Sequence, residues 1–258
     1  MFSLETFDIK LNTEFIGRHF IYSEEVECTN TILLDKENKY NSNGTVFYTE
    51  KQLKGRGRKN RPWYSVKELN LTFSILLTGK KYITKNPVLL NFVASLAVGV
   101  SLENLYQLKV DLKWPNDVLV SKKKICGILI ESTSEGSKID RLVVGIGINV
   151  NQAAFQGSFN YPPTSVKLEL NESVERERLL AEILNNFEEL LLIFIENPGS
   201  ILKDWKQRCY MIGDKISITE GEDVKYGIFE DVDENGFLLL KDNNNKIEKI
   251  HCGDLSLR

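Results

Sequence analysis

Between Gln52 and Trp63 the chain reads QLKGRGRKNRPW, with five cations among twelve residues. Arg56, Arg58 and Arg61 carry planar guanidinium forks whose N–H groups match the oxygens of a carboxylate or phosphate. Gly55 and Gly57 open backbone conformations that a Cβ bars, as a loop closing over a ligand requires. The whole chain has a formal net charge of -3 at pH 7, so this segment reverses the sign locally. The chemistry on offer is anion binding. Three readings are open for the loop alone: a solvated surface loop, a patch for nucleic-acid phosphates, or a clamp on a nucleotide.

Three further segments carry suitable groups. CTNT (28–31) sets Cys28, Thr29 and Asn30 before a helix, where small polar side chains either cap it or bind a compact polar ligand. In LKWPNDVLVSKKKICGILIE (112–131) a Trp-Pro-Asn-Asp turn interrupts two strands. Lys124 stands at the entry of the apolar strand containing Gly127, where its ammonium can face a cleft and hold a carboxylate or phosphoryl oxygen. Asp117 suits a base, a ribose or Mg²⁺, and equally suits ordinary turn chemistry. In VVGIGINVN (143–151), Gly145 and Gly147 alternate along a strand, clearing one face for a flat ligand, and Asn149 offers an amide to a purine or phosphate.

These groups need a framework. Phe15 to Glu27 reads as a strand entering a turn, with Thr29 or Asn30 as N-cap of a helix through about Lys39. TVFYT (45–49) and LTFSILL (71–77) are β-rich runs bracketing the basic loop, which therefore joins neighbouring strands. Pro87 opens an apolar helix to Tyr106. Strands follow at Val110–Trp114, Ile125–Glu131 and Leu142–Val150; between the first two, Asp117 to Val120 begins a short return and SKKK makes the turn. Arg176 to Ile195 is an amphipathic helix stopped by Pro198, and a last helix runs from Ser200 to Tyr210. From Met211 the pattern changes to short alternating strands, DKISITE, VKYGIFEDV, GFLLLKD and KIEKIHC, a small barrel-like module.

Composition narrows the function. With 258 residues and 42% hydrophobic, the chain has room for one large core and a smaller appendage. Its 33 basic and 36 acidic residues give no global case for DNA, RNA or an anionic membrane. The longest apolar run, Leu190 to Ile195, falls short of the roughly 20 residues of a membrane helix. Cys28, Cys126, Cys209 and Cys252 form no CxxC pair and the start MFSLETFDIK is no signal segment, so reduced thiols and a cytoplasmic location are expected. His19 and His251, the only histidines, are too far apart for a zinc site or a Ser/His triad.

Taken together, GRGRKNRPW (55–63), KWPND (113–117), KKICGILIE (123–131), GIGINVN (145–151) and the closing CGDLSLR (252–258) closely resemble the biotin-protein ligases, over nearly the whole chain. The resemblance implies an α+β fold: a mixed, largely antiparallel sheet packed by helices, like that of class II aminoacyl-tRNA synthetases, plus a C-terminal SH3-like β-barrel. The expected domains are 1–210, catalytic, and 211–258. The implied substrates are biotin and ATP with Mg²⁺. Biotin's carboxylate attacks the α-phosphate to give biotinyl-5′-AMP and pyrophosphate, and the lysine of a biotin carboxyl carrier protein or domain then displaces AMP. No DNA or membrane partner is implied, and a homodimer through sheet edges is compatible with the family. The short stretch before CTNT leaves no room for a winged helix, so a monofunctional ligase is expected.

The family pattern also assigns residues. Cys28, Thr29, Asn30 and Gln52 are implied to bind the ureido ring; Arg56, Gly57 and Arg58 to cover biotin and its carboxylate or the adenylate; Lys124 to hold the biotinyl carbonyl and phosphate; Gly127 to leave room for the thiophane ring. Arg56, Arg58, Arg61, Trp63, Asp117, Asn149 and Arg258 fall on the nucleotide side, with Trp63 as an aromatic face for adenine. Lys124 and Arg58 are the expected catalytic residues, and no protein ligand to a metal is implied. Cys28 stands where the family commonly has Ser, a weaker donor. Asn60 replaces a loop Gly, and Asn tolerates positive φ. The rivals are a lipoate or octanoate ligase of similar fold and, from another class, a nucleic-acid module using the basic loop.

Overall fold

The computed structural model describes residues 2–83, 86–136, 138–157, 159 and 161–257. Its larger part runs α1 (Leu4–Lys10), β1 (Phe20–Val26), α2 (Thr29–Leu34), β2 (Val46–Gln52), β3 (Leu71–Leu77), α3 (Leu90–Tyr106), β4 (Val110–Lys113), β5 (Asp117–Val120), β6 (Lys123–Glu135), β7 (Lys138–Ile148), α4 (Val166–Leu170), α5 (Arg176–Glu196) and α6 (Pro198–Gln207). Seven strands form one mixed sheet in the order β1-β2-β3-β7-β6-β5-β4. β1 and β2 run parallel and all other neighbours antiparallel. β3 lies in the interior of the sheet beside the central β7, and all seven of its residues are buried.

Strand periodicity gives this sheet two different faces. Leu71, Phe73, Ile75 and Leu77 of β3 enter the main core with α3 and α5 residues such as Phe92, Leu96, Leu184 and Phe187. Leu76 points the other way, into a small cluster with Leu33 of α2, Phe47 and Val143. Thr72 and Ser74 share its parity, so the face toward α2 carries polar groups on a buried strand. α3 is apolar on nearly every side. The helical stretch Pro87–Tyr106 has the length and composition to cross a bilayer, but Leu90, Phe92, Val93, Leu96, Val98 and Leu102 are sunk in the protein core, as an all-round apolar helix of a globular protein must be.

The C-terminal part is a second, fully antiparallel sheet of β8 (Lys215–Glu220), β9 (Asp223–Val232), β10 (Leu238–Lys241), β11 (Ile247–Ile250) and β12 (Asp254–Leu257), ordered β11-β10-β9-β8-β12. Among the described residues no ladder joins β11 to β12. All four cysteines are free thiols.

Several boundaries differ from the sequence reading. The N-cap of α2 is Cys28, not Thr29 or Asn30, and the helix ends at Leu34 instead of Lys39; Asp35 is already extended there, and Asn38 donates to the Ile32 and Asp35 carbonyls. Pro198 occupies the first turn of α6, a position that needs no N–H, so it opens one helix as well as ending another. Of SKKK, Ser121 and Lys122 take positive φ while Lys123 and Lys124 already belong to β6. α1 and β12 were not anticipated.

Candidate active site

Strand register builds the floor of a cleft of about 890 Å³. Lys113 pairs with Asp117, Asp117 with Gly127, Gly127 with Gly147, and Gly147 with Thr72. One row across β4, β5, β6, β7 and β3 therefore reads Lys, Asp, Gly, Gly, Thr on a single face. The parallel row above it holds Leu129, Gly145 and Ser74. The glycines leave a trough, and the ends of the row supply charge and hydroxyl.

The trough is not bare. A Cβ on Gly147 would overlap the Trp63 indole, and one on Gly127 would lie 3.1 Å from the same ring and 3.2 Å from Lys124 Nζ. A Cβ on Gly145 would collide with the Asn30 carboxamide. The space that the sequence reading gave to a flat ligand is thus partly lined by the protein's own Trp63 and Asn30. The indole Nε1 is buried without a hydrogen-bond partner, and Lys124 Nζ stands 5.7 Å from the ring centroid.

At the charged end, Asp117 accepts from Lys124 Nζ at 2.7 Å and forms a looser ion pair with Lys113 Nζ at 3.6 Å. Burial pushes the Asp117 carboxyl up, but the two ammonium groups outweigh it and hold the carboxyl below its ordinary value. Burial lowers Lys113, and Asp117 only partly offsets that. Arg58 adds a third cation. Its Nη1 reaches Asn116 Oδ1 at 3.4 Å and its Nη2 the Gly253 carbonyl at 3.2 Å, so no carboxylate pairs with it among the described contacts. Two ammonium groups sharing one carboxylate, with the Arg58 guanidinium beside them, leave this end of the site with net positive charge. Asp117 is here an ion-pair partner of lysines, and its oxygens are engaged by them.

At the polar end, the first residues of α2 turn inward. Thr29 donates its backbone N–H to Gln52 Oε1 at 2.8 Å, and its hydroxyl lies 2.6 Å from Ser74 Oγ. Ser74 Oγ meets Asn30 Oδ1 at 2.5 Å, while Asn30 Nδ2 donates to the Leu129 carbonyl at 3.2 Å and to Glu131 at 2.8 Å. Cys28 is buried at the N-cap and makes no side-chain cap bond.

The basic loop folds back on itself: Trp63 N–H donates to Gly55 O and Gly57 N–H to Arg61 O. Gly57 has an ordinary φ of -106°; the left-handed residues are Lys59 and Asn60, both at φ 55°, so Asn60 indeed adopts the conformation a glycine would favour. The forks expected to face a ligand are in good part committed. Arg56 pairs with both oxygens of Glu131 at 3.0 and 3.1 Å and donates to Thr31 Oγ1 at 2.9 Å. Arg61 and Lys59 pair with Asp254 of β12, and these contacts overcome the burial that would raise its carboxyl, holding it below the ordinary value. Asn149 spends its amide N–H on the Thr164 carbonyl at 2.9 Å, although it lines the cleft. Arg258 lies outside the described residues. Cys28, Thr29, Asn30, Gln52, Arg56, Gly57, Arg58, Arg61, Trp63, Asp117, Lys124, Gly127 and Asn149 all border this one cavity.

Residues 22–149 match the biotin/lipoate A/B protein ligase family, and residues 211–258 match the biotin protein ligase C terminal domain. The bifunctional ligase/repressor BirA of Bacillus subtilis is 31% identical over 250 residues, 96% of this chain and 76% of the relative. This chain belongs to the biotin protein ligase family. The biotin–[acetyl-CoA-carboxylase] ligase of Paracoccus denitrificans is 32% identical over 198 residues, 74% of this chain and 81% of that one. Among solved structures, the biotin protein ligase of Aquifex aeolicus in complex with biotin and ATP superposes with a TM-score of 0.81 at 30% identity, over 93% of this chain and 99% of that one.

Several residues of this ligase's cleft were not singled out from sequence: Lys113, Asn116, Asp254, and the aromatic residues Phe155, Phe159 and Tyr161; nor were Ser74 and Glu131, which stand behind it and hold Thr29, Asn30 and Arg56. Lys113 and Asn116 sit inside KWPND and Glu131 ends KKICGILIE, so their motifs were visible while their partners were not. Phe155 and Phe159 meet edge-on with centroids 6.5 Å apart. Their spacing in a polar loop carries no periodic signal.

Proposed function

We propose that this biotin ligase condenses biotin with ATP in the cleft to give biotinyl-5′-AMP, then transfers the biotinyl group to a lysine of a biotin carboxyl carrier protein or domain. A biotin carboxylate oxygen attacks the α-phosphorus, and the bond to the bridging oxygen breaks with pyrophosphate as leaving group. The acceptor amine then attacks the biotinyl carbonyl carbon, AMP leaves, and the amine's proton passes to solvent. Both steps bring anions together, so the chain must supply fixed positive charge where negative charge collects.

The observation that carries this reading is the gathering of positive charge at one end of a glycine-floored trough, where Lys113 and Lys124 share the Asp117 carboxylate and Arg58 reaches the neighbouring Asn116. The other end holds Thr29 and Gln52. In this reading Lys124 holds the biotinyl carbonyl and the α-phosphate, and Arg58 restrains the adenylate. Thr29, Asn30, Gln52 and Cys28 form the ureido end. Arg56 and Gly57 carry the lid across it, and Trp63, Asn149, Arg61 and the C-terminal Arg258 complete the nucleotide side. Residues 1–210 act as the catalytic unit and 211–258 as a smaller unit that closes one wall.

Mg²⁺ belongs to the nucleotide in this scheme. Such a cation is bound through phosphate oxygens and water with few protein ligands. When bound, it offsets charge on the leaving pyrophosphate. The test is transfer itself. With biotin and MgATP, a carrier domain should gain one biotinyl group, and a carrier whose target lysine is changed to Arg should gain none. Equal labelling of both carriers would contradict a directed second step.

A further inference from the structure

Hydroxyl groups at the polar end of the cleft have too few protons for their contacts, and this fixes the direction of each hydrogen bond. Asn30 Nδ2 faces only acceptors, the Leu129 carbonyl and Glu131, so its carboxamide has one possible orientation and Oδ1 must face Ser74. The 2.5 Å contact from Ser74 Oγ to Asn30 Oδ1 requires the Ser74 proton. Ser74 then has none left for Thr29, and the 2.6 Å contact between them must take the proton of Thr29. The longer contact of Thr29 Oγ1 with Gln52 Oε1, 3.1 Å, is the one left without a proton, because Thr29 has a single hydroxyl proton and the shorter contact with Ser74 takes it.

We propose that Ser74, held by Asn30 and Glu131, is a positioning residue that makes Thr29 an obligate hydrogen-bond acceptor toward the ligand. Thr29 lines the cleft; with its proton drawn into the sheet it presents only lone pairs there. The pocket thereby selects a ring that donates an N–H at this point and rejects one presenting an oxygen, where two acceptors would face each other without a proton. Ser74 is fully buried and touches no ligand itself. Glu131 anchors the relay and also binds Arg56, so the lid and the selector share one carboxylate. This inference rests on the biotin reading, since the donor it selects is a ring N–H of a cyclic urea.

Calorimetry on the full chain tests it, with biotin and with the two cyclic carbamate analogues in which one or the other ring N–H is replaced by oxygen. The wild type should bind biotin at least about 30-fold tighter than the analogue that lacks the N–H facing Thr29, the discrimination expected of a buried polar group left unpaired. In Ser74→Ala the Thr29 proton is freed to turn toward the ligand, and the preference should shrink by about tenfold or more, while kcat for adenylate formation at saturating biotin stays within about threefold. Glu131→Ala leaves the Asn30 carboxamide held in its orientation only by the 3.2 Å contact with the Leu129 carbonyl and should weaken the preference too. Glu131→Gln, which retains an acceptor oxygen for Asn30, should keep it. The Glu131 pair decides the matter if Ser74→Ala does not fold. A preference unchanged in Ser74→Ala and Glu131→Ala would overturn the relay while leaving the biotin reading in place. Absence of biotin binding to the wild type would overturn both.

Discussion

Lys124 is the residue on which the proposed chemistry turns. Its ammonium is 2.7 Å from Asp117 and borders both the glycine trough and the Trp63 ring, so it can pass from a protein carboxylate to a substrate one without moving far. Lys124→Ala should reduce biotin-dependent pyrophosphate release by roughly 10²–10³-fold, the scale of losing one preorganised charge. The thermal midpoint should change little, because Lys113 still neutralises Asp117. Unaltered pyrophosphate release would remove Lys124 from the mechanism. Asp254 gives a pH prediction with a definite sign. Its folded-state pKa is depressed, so its hold on Lys59 and Arg61 is fully present above the ordinary carboxylate value of 3.8 and is lost as pH falls through the folded value beneath it. Hydrogen exchange of residues 55–63 should accelerate across that acid range in the wild type and be fast at neutral pH in Asp254→Asn; identical profiles would show that the pair does not restrain the loop. At this scale the sequence revealed residue types better than their partners. The roles of Arg56 and Asn30 looked ligand-directed because Glu131, about a hundred residues away in Asn30's case, gives no local sign that it will meet them.

Among elements, the sheet positions almost everything. LTFSILL could be read directly as β3, because a run of apolar and β-branched residues between turn signals has few alternatives. Harder to read was α1, seven residues of which only Phe7 is buried, capped by Ser3; so was β12, four residues placed by pairing with β8. The register row ending in Gly127 and Gly147 predicts that Gly147→Ala displaces the indole it would overlap. Trp63 fluorescence should shift and the KM for biotin and ATP should rise, with the fold retained. An unchanged emission spectrum would mean that the ring does not rest on this glycine. A second prediction concerns the anchoring of α5. Arg176 at its start binds Glu50 of β2 at 2.6 Å, Tyr48 Oη at 2.8 Å and the Asn70 carbonyl, with both charged groups buried. Glu50→Ala strands the guanidinium and should cost about 3–5 kcal/mol in denaturant unfolding. A loss below about 1 kcal/mol, the range of exposed pairs, would show the network to be solvated.

For the whole molecule, the basic loop ties the two sheets together: Arg58 spans from Asn116 beside β5 to the Gly253 carbonyl before β12. The composition and the change of pattern near Met211 made two parts legible. The closing of the small sheet against the cleft was not, since it depends on contacts such as Lys59–Asp254 across nearly two hundred residues. Arg58→Gly should therefore form the adenylate but release it, detectable as free biotinyl-5′-AMP and as labelling of non-carrier lysines nearby; retention equal to that of the wild type would rule out this role. In the proposed reaction one cleft joins biotin to the adenylyl group of ATP. Its most direct test is pyrophosphate release with MgATP and either biotin or lipoate, with mass detection of the acyl adenylate. Biotin should give stoichiometric biotinyl-5′-AMP and pyrophosphate, and lipoate little of either. Lipoyl-AMP formed in preference to biotinyl-AMP would contradict it.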